Sequence, residues 1–156
     1  MQEWWGGHLA HVQHHHANEN AIANPFIRAR VKYPAKLQDD HVTLQAMLNH
    51  IDSKFQNDEV VAASPGPMLR TWRRYKAIMF PHLHEEEQVS LPLMRAYFTP
   101  AEVAPMVQRM LKTGTKVNLG SFFHHIPGGK RGVQAFMKQE GIPSFVWYLQ
   151  FKVGTR

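Results

Sequence analysis

Two stretches of this chain repeat one another at a fixed offset, and that repeat constrains the fold more than any other feature. In HHHANENAIANPFIRARV, His15 and Glu19 stand four residues apart, and in FPHLHEEEQVSLPLMRAYF, His82 and Glu86 do the same. Sliding one stretch on the other by 67 residues aligns His15 with His82, Glu19 with Glu86, Pro25 with Pro92, Arg28 with Arg95 and Ala29 with Ala96. Over those fifteen positions ordinary composition gives about one chance identity, against the five found. Residues four apart on a helix lie one above the other on the same face. Each stretch therefore presents an imidazole and a carboxylate to one point, and the chain is expected to carry a duplicated helix with a duplicated His-x-x-x-Glu site.

The remaining elements follow from periodicity and punctuation. Residues 2–30 are expected as a first helix with His8, His11, His15 and Glu19 in one stripe. His14 and His16 fall off that stripe, which leaves them exposed or supporting a ligand from behind, and Pro25 should disturb the helix near Ala21. After a loop ending at Pro34, a second helix is expected over 35–56, with Leu37, His41, Leu44, Leu48 and Ile51 on one face. His41 thus replaces an apolar residue in a core stripe, and Asp40 beside it either orients a ligand or sits at the surface. Pro65-Gly66-Pro67 closes the next loop, a third helix spans 68–98, and a fourth spans 100–113 behind Thr99, Pro100 and Glu102. Glycines break the last forty residues into short pieces, among them a helix at 129–140 and an apolar one at Pro143–Phe151. The fold class is all-α, divided into a helix bundle over 1–113 and a helical C-terminal extension over 114–156 packed on it.

Composition removes several functional classes. A hydrophobic content of 44% excludes a disordered chain, and the absence of cysteine excludes disulfides, thiolate metal sites and cysteine nucleophiles. No apolar run reaches the length of a membrane span, and the N-terminal residues lack the features of a signal peptide, so an intracellular, cytoplasmic setting is expected. The net charge of +6 is spread over the chain, apart from Arg70, Arg73, Arg74 and Lys76, which read as a solvated helix face, and nucleic-acid binding is not expected. What stands out is 11 histidines, several in interrupted clusters with helical spacing.

A single His/Glu pair on a helix is ordinarily an exposed pair of small energetic weight. Two in register, facing one another beside His41, bring three imidazoles and two carboxylates together. Nitrogen and oxygen donors without sulfur suit iron or manganese, with zinc possible. His15, Glu19, His41, His82 and Glu86 are the expected metal ligands. His124 and His125, which lack a spaced carboxylate, are expected to be structural or exposed.

The ordered motifs His15-His16-Ala17-Asn18-Glu19 with Pro25, Asp40-His41-Val42-Thr43-Leu44, and His82-Leu83-His84-Glu85-Glu86-Glu87 with Pro92 resemble those of the hemerythrin-like, HHE cation-binding family. The resemblance covers residues 1 to about 113. It implies an up-and-down four-helix bundle enclosing a non-haem di-iron centre that binds O2 reversibly or senses oxygen or iron. Two departures accompany it. Gln45 stands where oxygen-carrying members have a further histidine, and no helix precedes His15 to supply the family's first ligand. His11, one turn before His15, is a candidate surrogate; otherwise a missing N-terminal helix or a homo-oligomer would complete the site. The expected function is binding of O2 or another small oxidant without turnover. The alternatives are a di-iron oxidase or peroxide-reducing enzyme using the same residues, and a zinc-bound or metal-free interaction module.

Overall fold

Spacings of four and three alternate along Leu37, His41, Leu44, Leu48, Ile51 and Phe55. In the computed structural model, which describes residues 2–56 and 65–142, all of these side chains are buried. That stripe belongs to α3 (Ala35–Phe55), which follows Pro34 as expected. Upstream, α1 (Gln2–Asn18) runs through a π-helical segment (Glu19–Ala23) into α2 (Asn24–Arg28). The disturbance expected from Pro25 takes this form. Pro25 has no N–H to offer Ala21, and the widened turn instead bonds the Asn24 N–H to the Glu19 carbonyl. The long helix α4 (Pro65–Tyr97) contains Pro81 and Pro92; then come α5 (Pro100–Thr113), α6 (Lys116–His125) and α7 (Gly129–Gln139). The fold is all-α: among the described residues there is no strand. None of the described helices is long and apolar enough to cross a membrane. Residues 57–64 and the expected helix at Pro143–Phe151 lie outside the described residues.

The chain divides into two compact units, residues 1–100 and 101–156. In the first, contacts fix the helix directions. His8 meets Tyr75 and Arg30 meets the Tyr97 carbonyl, both 67 residues apart, so α1–α2 and α4 run parallel at the offset of the sequence repeat. Between them α3 runs antiparallel: Trp5 bonds Asp52 at one end, and Arg28 bonds Gln38 at the other. One apolar core joins Trp5 and Val12 of α1, Leu44, Leu48, Ile51 and Phe55 of α3, and Tyr75 and Met79 of α4. A second, around Ile27, Tyr33 and Leu37, closes the other end. The polar cluster described below lies between the two along each helix.

In the second unit Phe123, Val133 and Met137 form a small core. The sequence suggested short fragments where α6 forms; Thr115 caps it by accepting the Asn118 N–H (3.2 Å). The turn into α7 places the Pro127 carbonyl 1.9 Å from where a Cβ on Gly132 would stand, so only glycine fits there.

Candidate metal centre

Each helix of the first unit delivers its share of the cluster by local geometry. α1 and the start of the π segment carry His15 and Glu19, α3 carries His41, and α4 carries His82 and Glu86. The expected pairs close as intended, with His15 Nε2 to Glu19 Oε1 and His82 Nε2 to Glu86 Oε1 each 3.2 Å. The two carboxylates then reach across. Glu86 Oε1 lies 3.4 Å from His41 Nε2, while its Oε2 turns to His15 Nε2 at 3.8 Å. Glu19 Oε2 lies 3.5 Å from His41 Nε2. Donors bonded at about 2.1 Å to one cation stand roughly 3 Å apart when adjacent and 4.2 Å when opposite, so these separations would allow a shared cation.

Of the two alternatives for His16, that of an exposed side chain is overturned. His16, placed off the stripe by its spacing, is 4% exposed and stacks on His41, ring centroids 4.2 Å apart at 16°. A helix packed against two neighbours turns two faces inward, and His16 looks toward α3 while His15 looks toward α4. His16, His41 and His82 form one group of potential ligands, and His15, Glu19 and Glu86 a second, each with its donor atoms within 4.8 Å. His11 joins neither; it is exposed and lines a neighbouring cavity. His84, His124 and His125 are exposed, and Gln45 donates to Asn49 Oδ1 (2.7 Å).

The imidazoles are held from behind. His41 Nδ1–H donates to Asn20 Oδ1 (2.9 Å), which holds the ring with Nε2 turned toward the two carboxylates. Asp40 Oδ2 stands 3.5 Å from His82 Nδ1 and is itself paired with Lys36 (2.7 Å), so Asp40 faces the imidazole of His82 on the facing helix. Asn20 had no sequence signal beyond its place next to Glu19. The signal for His16 was its adjacency to His15 and nothing more.

Electrostatics sharpen the picture. Burial, reinforced by His41, His15 and His82, pushes the His16 imidazole down to about 3, so it is neutral at ordinary pH. Burial also raises the Glu19 carboxyl, with the Glu86 charge adding to the effect and the imidazoles opposing it. Burial would raise Glu86 as well, but its contacts with His15, His41 and His82 outweigh this and hold it far below the usual carboxylate range. The same contacts overcome burial at His15 and His82 and raise both. Four buried atoms, His15 Nε2, Glu19 Oε2 and both ring nitrogens of His82, have ion-pair contacts but no well-formed hydrogen bond, and both ring nitrogens of His16 have neither among the described residues. An unsatisfied buried polar atom costs about 1–3 kcal/mol, so a bound group that accepts these lone pairs would relieve a cost concentrated in one place. The cluster can hold a metal ion. Comparison with known proteins finds no matching family model, no matching curated protein and no matching solved structure.

Proposed function

We propose that this chain holds a non-haem di-iron centre of hemerythrin type and uses it to bind or sense O2 or another small oxidant. The observation that carries this reading is the way both carboxylates divide their oxygens. Glu19 and Glu86 each direct one oxygen toward His15 and the other toward His41, the arrangement of carboxylates shared between two cations. His16, His41 and His82 would serve one cation, and His15 the other. The imidazoles and carboxylates suit a divalent metal of intermediate softness, and the two unpartnered ring nitrogens of His16 would be open to such an ion. When bound, iron would supply an open coordination position and a reversible change of oxidation state. The chain's own residues do the rest. Asn20 fixes the His41 tautomer, Asp40 orients His82, and the buried side chains of Leu37 and Leu44 on either side of His41 keep bulk water from α3's face of the cluster.

Zinc is the second reading, favoured by the three-imidazole group taken alone. Elemental analysis of untagged protein from iron- and zinc-supplemented cultures separates the two. Iron is expected in excess of zinc, removable by chelation, and largely lost from His82→Ala. Protein with no bound metal from either culture would overturn the proposal.

A further inference from the structure

His15 is shared between the cluster and a cavity of about 400 Å³ that the metal reading does not use. That volume lies within the roughly 300–1,000 Å³ of sites for small organic ligands. Its walls are aromatic: Trp4, Trp72, Tyr75 and Phe80. Trp4 and Phe80 leave 59% and 63% of their surface exposed, a large amount of ring to keep wet beside a concave surface. An aromatic lining often takes a cation, but here one face of Trp4 is already covered by an imidazole. His8 stacks on Trp4 (5.5 Å, 6°), meets the edges of Trp72 and Tyr75, and bonds the Tyr75 hydroxyl (3.1 Å). Among the described residues the lining contains Lys76 and no acidic side chain, so a cation would be repelled and an anion attracted. Flat walls on several sides favour a flat occupant, because stacked and edge-on ring contacts add to simple burial.

We propose that this cavity binds a small aromatic carboxylate, its ring against Trp4, Trp72 and Phe80 and its carboxylate facing the Lys76 ammonium. The site stands apart from the metal reading, since none of these groups requires a metal to bind. The probe is 1-naphthoate, titrated into chelator-treated full-length protein and followed by quenching of tryptophan fluorescence and by calorimetry. Its neutral counterpart 1-naphthalenemethanol and its cationic counterpart 1-naphthylmethylammonium are run beside it. Saturable binding at one site is expected, with naphthoate about tenfold tighter than the alcohol, the gain of one charge-assisted contact, and the cation weakest. Lys76→Gln should erase the preference for acid over alcohol, and Phe80→Ser should weaken both. Leu91→Ser, which removes an exposed apolar side chain that does not line the cavity, should change neither. Lys76 and Phe80 lie outside the buried core, and helical circular dichroism checks that the variants are folded. The comparison of three probes on the unaltered chain stands even if a variant misfolds. Equal affinity for acid and alcohol, absence of saturation, or equal weakening by Leu91→Ser would overturn the proposal.

Discussion

Replacing His16 by leucine should stabilise the metal-free protein and weaken the metal-loaded one. Without metal, both ring nitrogens of this buried residue lack partners, at about 1–3 kcal/mol for an unsatisfied buried polar group. Leucine fills a similar volume and removes that cost, while giving up a ring stack on His41 of about 0.5–1.5 kcal/mol. The net gain is about 1 kcal/mol, which for a unit of this size raises the melting temperature by roughly 4–8 °C. With metal the sign reverses. His16 is one of the three imidazoles on its side of the cluster, and its loss should lower affinity there about a hundredfold. By mass action that removes ~2.7 kcal/mol of metal-derived stabilisation. Paired thermal melts, in chelator and in excess Fe(II), with calorimetric titration of the metal, read both halves. A leucine variant that melts lower without metal yet binds metal like the parent would refute the reasoning and make His16 a packing residue.

Asn20→Ala should cost about 10–100-fold in metal affinity by freeing the His41 ring, with little change in helical content, as calorimetry and circular dichroism would record. The metal-free protein should be most stable near pH 6.5 in urea titrations. His16, lowered to about 3, and Glu86, lowered further, contribute stability that is lost as acid protonates the unfolded chain first; for His16 that loss begins below about 6.5. His15 and His82, both raised, contribute stability that is full below about 6.5 and lost as pH rises through their folded values. Glu86→Gln should therefore flatten the alkaline side of the profile. Gly132→Ala should destabilise the unit formed by residues 101–156 by roughly 1–3 kcal/mol while leaving metal content unchanged, because its Cβ would meet the Pro127 carbonyl.

Much of the site was legible because its logic is local. The i, i+4 pairing of His15 with Glu19 and of His82 with Glu86 follows from helix geometry, and His41 betrayed itself by sitting in a row of leucines and isoleucine. The limits of α3 and α5 were marked by Pro34 and Pro100. What escaped depends on how many neighbours a helix has. Periodicity assigns a helix one inward face, yet α1 has two, and His16 is on the second. Asn20 matters only because α3 brings His41 beside it, a contact 21 residues away in sequence. The π segment arises from the missing N–H of Pro25, which fixed the place of the disturbance but not its form.

The parallel course of α1 and α4 also bears on how the molecule reaches its folded state. Contacts within the cluster span 21, 45 and 71 residues: Asn20 to His41, His41 to Glu86, and His15 to Glu86. Closing the 45-residue loop from His41 to Glu86 rather than the 21-residue one from Asn20 to His41 costs about 0.7 kcal/mol more in chain entropy, so the α1–α3 hairpin is favoured to form first and α4 to dock upon it. Neither His15 nor His41 meets Glu86 before that docking. A cation that needs both carboxylates would have nothing to hold until the last helix arrives, and once bound it would act as a latch that retards unfolding without hastening assembly.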